Sequence, residues 1–202
     1  MRSPAGGLHD VRLDPTAKDV TTGRLTMNSP TEDEDAAGRT GRKPAIQWFT
    51  ADDGIDLHAS GVMSPARMNP EIAEQVDLAS LSGGAKARVL FRGSSPDGFS
   101  LVHAWFGEDF PLPRHTHSAD CLYFVLRGEL RMGSKVLRAG DGMFVPAGRP
   151  YTYRAGPGGV EVLEFRSSTS FDMQTLDQDV AKWRAFAAQA ELRQQDWAQT
   201  RP

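Results

Sequence analysis

PLPRHTHSADCLYFVLRGELRMGSKVLRAGDGMFVPAGRPYTY occupies residues 111–153 of the 202-residue chain. The segment reads as β throughout. Leu122–Leu126, Glu129–Met132, Met143–Val145 and Tyr151–Tyr153 are short aliphatic and aromatic runs, and Arg127-Gly128 and Ala139-Gly140-Asp141-Gly142 punctuate them as turns. Gly140 and Gly142 flank Asp141, where a tight turn calls for positive φ. The pattern continues outward on both sides. Lys86–Arg92, Phe99–Phe106 and Val160–Arg166 are further strands, with turns at Ser95-Pro96-Asp97-Gly98 and Gly156-Pro157-Gly158-Gly159. Many short strands at close spacing predict an antiparallel sandwich or barrel.

His115 and His117 stand two apart, so on an extended strand both rings point to one face. Two imidazoles on one face can share a metal ion such as zinc, iron, nickel or copper. The same alternation groups Cys121, Tyr123 and Val125 on one face and turns Asp120 away from it. Cys121 has two readings: a thiolate in a Cys-His-His set with an open fourth position, or a small buried apolar residue. Tyr151 and Tyr153 share a face, so with Tyr123 three phenols are expected around one pocket. They would donate hydrogen bonds, act as a base beside a cation, or simply pack as aromatic core. His103 lies on a neighbouring strand, but the irregular stretch 108–113 leaves its facing open. Trp105 and Phe144 are read as core or pocket wall. His9 and His58 fall in tail or loop sequence and are given no role.

This region resembles the cupin superfamily. The first motif of that family reads G-x5-H-x-H-x3/4-E-x6-G. Here seven residues separate Gly107 from His115, after which His117, Cys121 and Gly128 follow at the family's spacing. The second motif reads G-x5-P-x-G-x2-H-x3-N, and Gly140, Pro146 and Gly148 fall at its positions. Cys121 stands at the family's glutamate, Tyr151 at its third histidine and Ala155 at its closing asparagine. The resemblance implies an all-β, jelly-roll-like double-stranded β-helix barrel, often dimeric, with a small-molecule pocket inside. It implies a divalent metal (zinc, iron, nickel, copper or manganese) at His115 and His117, for which Cys121 is the third expected ligand. Tyr123 and Tyr151 are then the residues expected to move a proton or orient substrate, and Trp105, Phe144 and Tyr153 the pocket wall. Two functions follow: the favoured one is a small-molecule barrel with a metal at His115 and His117, acting as an oxygenase, isomerase or lyase; the alternative is a metal-free ligand-binding or sensory barrel, which the loss of two usual ligands supports.

The remainder of the chain frames this barrel. Residues 1–44 hold stretches such as SPTEDEDAAGRTGRK (29–43), which cannot bury enough apolar area to offset their ordering entropy, and a disordered tail is expected. Residues 45–171 are assigned to the barrel and its N-terminal extension. A short helix is expected over Pro70–Leu78, capped by Asn69. Residues 172–202 are read as a C-terminal helix with Thr175 and Gln178 as a capping box, and with Leu176, Val180, Trp183, Ala187 and Ala190 as one apolar stripe packed on the barrel or on a second subunit.

With 26 acidic and 23 basic side chains the net charge is −3, which leaves no basic excess for nucleic acid. No apolar run approaches the ~20 residues that span a bilayer, and Met1–Asp10 lacks the apolar core of a secretory signal. The single cysteine excludes an internal disulfide and agrees with a reducing cytoplasm. A cytoplasmic homodimer without nucleic-acid or membrane partners is the expectation.

Overall fold

The computed structural model describes residues 45–202, apart from residue 96 and the side chains of 65–67; the tail expected over 1–44 lies outside the described residues. In chain order the elements are β1 (Ile55–Asp56), β2 (Met63–Arg67), α1 (Pro70–Gln75), β3 (Ala85–Arg92), β4 (Ser100–Phe106), β5 (His115–Thr116), β6 (Cys121–Met132), β7 (Lys135–Arg138), β8 (Gly142–Val145), β9 (Arg154–Arg166), β10 (Phe171–Thr175) and α2 (Val180–Thr200). One sheet runs β1-β3-β4-β9-β6-β7, with β8 also paired to β6; a smaller sheet runs β2-β10-β5. All pairs are antiparallel except β2 with β10. Side chains from both sheets line one cavity, so the sheets face each other across it.

The long β6–β9 ladder sets the interior. Cys121, Tyr123 and Val125 of β6 are buried while Leu122, Phe124 and Leu126 are exposed, the alternation expected of a half-buried strand. On β9, Val160, Val162, Glu164 and Arg166 face inward and Phe165 outward. Two expected turns are absorbed into these strands. Arg127-Gly128 is a bulge inside β6, where Gly128 takes φ +76° and a Cβ would lie 2.1 Å from the Gly159 carbonyl oxygen. Residues 156–159 likewise lie within β9, with positive φ at Gly158 and Gly159. Tyr151–Tyr153 is not a full strand; a single bridge joins Tyr151 to His115.

The C-terminal expectation needs a larger correction. Phe171–Thr175 is a strand, because Phe171 is buried with Val62, Val89 and Val102 and the backbone pairs with both β2 and β5. Sheet pairing here overrides the local helical pattern. The helix starts at Val180 with Asp179 as its cap, whose Oδ1 accepts from the Ala181 N–H at 2.8 Å. Gln178 instead spans two elements: its Nε2 donates to the Thr175 carbonyl and its Oε1 accepts from the Asn69 N–H at 2.6 Å. Asn69 does cap α1, accepting from the Glu71 N–H, but α1 ends at Gln75 and a 3-10 stretch, Leu78–Gly84, follows.

Of the expected stripe on α2, Trp183, Ala187 and Ala190 are buried, while Leu176 precedes the helix and is exposed. Trp183 and Ala187 pack with Ile72 and Val76. Trp197 is fully buried against Phe110, and its indole N–H donates to the Glu108 carbonyl at 2.9 Å. Gly107 is explained by this docking, since a Cβ there would come within 2.2 Å of the indole. The helix thus belongs to the same compact unit, Gln47–Pro202, as the barrel. Among the described residues no helix is long and apolar enough to cross a membrane.

Candidate functional site

The two-residue strand β5 fixes the histidines. His115 exchanges backbone hydrogen bonds with Tyr151, each 3.0 Å, and pairs with Thr175 of β10; the His117 carbonyl accepts from the Gly148 N–H at 2.8 Å. Gly148 holds φ +72°, which explains the glycine read from the sequence. Both rings turn inward, 2% exposed for His115 and 8% for His117, with centroids 4.8 Å apart in an edge-to-face arrangement. His115 Nδ1 lies 2.8 Å from the Pro113 carbonyl oxygen and His117 Nδ1 lies 2.6 Å from that of Asp172. A carbonyl only accepts, so Nδ1 carries the proton in each ring and Nε2 keeps its lone pair. Burial pushes both imidazoles below their ordinary 6.5, and the nearby Arg166 charge adds to this; His117 falls to about 3. Both are neutral at pH 7.

The three phenols do converge. Tyr123 and Tyr151 share a 2.5 Å hydrogen bond between hydroxyls, and Tyr153 stacks on Tyr151 with centroids 6.3 Å apart. Burial, reinforced by the Glu164 charge, pushes all three above the ordinary tyrosine value, so no phenolate forms near neutral pH. Cys121 is buried beside them, and burial followed by Glu164 pushes its thiol up to about 12. The thiol is therefore protonated.

Two residues given no role in the sequence reading complete the site. Arg166 is 2% exposed, and its Nη2 donates to Glu164 Oε2 at 2.6 Å and to the Tyr123 hydroxyl oxygen at 3.3 Å. Burial is the largest single effect and opposes the guanidinium charge, but Glu164 together with the other acidic groups around it holds the group well above its ordinary value. The Phe171 ring lies under the guanidinium, 4.1 Å from Cζ. The signal was present: Val160 and Val162 fix the inward parity, and the same parity carries on to Glu164 and Arg166.

These groups surround a cavity of about 240 Å³. His115, His117, Tyr123, Tyr153, Glu164 and Arg166 form its polar end, and Phe106, Phe110, Leu112, Phe171, Met173 and Trp183 much of its apolar wall. His58, given no role from sequence, is exposed yet also lines it. Of the expected pocket residues only Tyr153 does so. Phe144 points outward on β8, 61% exposed, and with Tyr151 borders a separate, broader depression of about 610 Å³. Trp105 is buried near Gly128 and Gly159, away from the histidines. His103 is only partly buried and has Nε2 3.6 Å from Glu161 Oε2; it lines no part of this cavity.

Paired imidazoles on the inner face, a tight turn at Gly140 and the Pro146–Gly148 connection returning to them are the arrangement the sequence resemblance implied. In this the barrel resembles that of the cupins.

No family model and no curated relative matches this chain. Solved structures similar to it include an RmlC-like cupin from Shewanella frigidimarina (27% identity, 47% of this chain and 86% of that one, TM-score 0.38). Others are the polyketide cyclase RemF from Streptomyces resistomycificus (18%, 54% and 82%, TM-score 0.43) and KdgF from a Halomonas species (20%, 42% and 79%, TM-score 0.37). At these scores no ligand or chemistry passes from them to the present barrel.

The resemblance to cupins raises the question of a resident divalent metal, and the donor set answers it. Two Nε2 lone pairs are available. Among the described residues, however, no three His, Cys, Asp or Glu side chains group as a metal-holding cluster. Neither Cys121 nor Tyr151, which stands where the family has its third imidazole, lines the cavity that His115 and His117 face, and the Glu164 carboxylate is taken by Arg166. The residues present do not fit a resident metal ion.

Proposed function

We propose that this cupin-type barrel binds a small organic molecule with an apolar body and a polar head, without a resident metal. The observation that carries this reading is the polar end of the 240 Å³ cavity, where a buried Arg166–Glu164 pair stands beside two imidazoles and phenols that are all neutral. Such a lining hydrogen-bonds and orients a ligand. It offers no thiolate and no phenolate at pH 7, and burial lowers both imidazoles, His117 to about 3, which favours binding over proton-transfer catalysis. The test is a thermal-shift screen of small metabolites with and without EDTA. Ligands that raise the melting temperature equally in both support the reading. A shift abolished by EDTA overturns it.

One observation favours a second reading. The paired Nε2 lone pairs, each with its Nδ1 tied to a carbonyl, are oriented as metal-ligating histidines are. A metal here would need its remaining donors from the ligand. Near-stoichiometric metal in the purified protein, lost in His115→Ala, would establish it.

We further propose that two copies pair through the outer face of the large sheet. Leu122, Phe144 and Phe165 are exposed register neighbours, and Phe99 stacks on Phe165 with centroids 5.3 Å apart. A row of this kind on an isolated chain marks an association surface. A monomeric mass for wild type in sedimentation would overturn this.

A further inference from the structure

The Arg166 guanidinium is only half used. Nη2 is occupied by Glu164 and Tyr123, while Nε and Nη1 reach no acceptor. Only one other buried side-chain polar atom among the described residues, the Thr175 hydroxyl oxygen, shares this condition. A buried charged donor without a partner is costly, and native structures supply one from a water, an ion or a ligand. The Phe171 ring covers one guanidinium face, which leaves the edge that carries Nε and Nη1 for an acceptor. Arg166 lines the cavity.

The opposite need stands beside it. His115 and His117 present Nε2 lone pairs, and no donor among the described residues meets them. A molecule that satisfies this end must bring an anionic or strongly polar acceptor for Arg166 and a donor for the imidazoles. Its body must suit an apolar wall that includes Phe106, Met173 and Trp183. The acceptor is a carboxylate rather than a phosphate. Glu164 already balances Arg166, and no lysine or second arginine lines the cavity to hold a dianion.

Resting on the metal-free binding reading above, we infer that the cavity takes a small carboxylic acid. Its carboxylate lies on Nε and Nη1 of Arg166, a hydroxyl or N–H of the ligand donates to His115 or His117, and its apolar body fills the rest. The recognition is charge-assisted hydrogen bonding at one end and hydrophobic burial at the other.

Calorimetric titration of the full chain in EDTA with matched acid and amide pairs tests this: mandelate and mandelamide, phenylacetate and phenylacetamide, hexanoate and hexanamide. At least one acid is expected to bind about tenfold or more tightly than its amide, the effect of a hydrogen bond to a charged group. Mandelate, which carries a hydroxyl, should exceed phenylacetate. The double variant Arg166→Met/Glu164→Leu removes both charges together, and in it acid and amide should bind alike. The wild-type comparison stands even where that variant fails to fold. Equal binding of acids and amides by wild type overturns the carboxylate assignment and leaves the binding cavity intact. A preference that persists in the double variant overturns the role of Arg166. If no member of the panel binds, the carboxylic-acid assignment falls, and the metabolite thermal-shift screen alone decides the cavity reading.

Discussion

Glu164 and Arg166 sit two residues apart on β9 with both side chains inside the barrel, Arg166 Nη2 lying 2.6 Å from Glu164 Oε2. Both are buried, Arg166 2% and Glu164 6% exposed. Such a pair adds little stability over apolar residues, yet losing one member leaves an uncompensated buried charge.

Glu164→Gln should therefore destabilise the protein by about 3–5 kcal/mol, and the double variant Arg166→Met/Glu164→Leu should recover much of that loss. Urea unfolding of both variants measures it. A loss below about 1 kcal/mol in Glu164→Gln, the range of exposed pairs, would mean that water reaches the pair.

The histidines set a pH dependence of definite sign. His117 binds its proton at about 3 when folded and near 6.5 when unfolded, and His115 is lowered in the same direction. Between these values the unfolded chain holds more protons, so stability rises with pH. The imidazole contribution is fully present above about 6.5 and is lost as pH falls toward 3. One group contributes a slope of up to about 1.4 kcal/mol per pH unit. Urea midpoints from pH 7 to pH 4 should fall more steeply in wild type than in His117→Gln. Imidazole NMR shifts that titrate near 6.5 in the folded protein would contradict the buried neutral state.

Cys121 should be unreactive in the folded protein. It is 2% exposed and its thiol is pushed up to about 12. At pH 8 a thiol-specific chromogenic disulfide should react with less than a tenth of the thiol until urea unfolds the chain. Rapid stoichiometric reaction under native conditions would place the thiol in an open, charged environment instead.

Trp197 ties α2 to the barrel through a fully buried indole and a hydrogen bond to Glu108. Trp197→Ala should cost about 3–5 kcal/mol. Gly107→Ala should also destabilise, because the new Cβ meets the indole. Chemical denaturation of the two variants checks both. A tolerated Gly107→Ala would show that the helix shifts freely on the barrel.

Much of the barrel was legible because period-two alternation depends only on neighbouring residues. Leu122–Leu126 and Val160–Arg166 showed it plainly. The pairing of His115 with His117 and the convergence of three tyrosines followed from the same parity. What escaped needed long-range information. Phe171–Thr175 has a helical local pattern, and only its pairing to β2 and β5 makes it a strand. Gly128, Gly158 and Gly159 carry turn chemistry, but their positive φ serves irregularities inside the long strands β6 and β9. Phe144 reads as core or pocket wall from its apolar ring, whereas alternation on β8 turns it outward. Arg166 and Glu164 were passed over as charged residues of an ordinary strand, although the parity of Val160 and Val162 pointed them inward.

Anomalous diffraction from crystals grown with mandelate, without chelator, bears most directly on the metal-free binding of an organic acid. The expected result is ligand density in the cavity, its carboxylate within hydrogen-bond distance of Arg166 Nε and Nη1, and no anomalous peak beside the histidines. A metal peak about 2.0–2.1 Å from Nε2 of both His115 and His117 would contradict it.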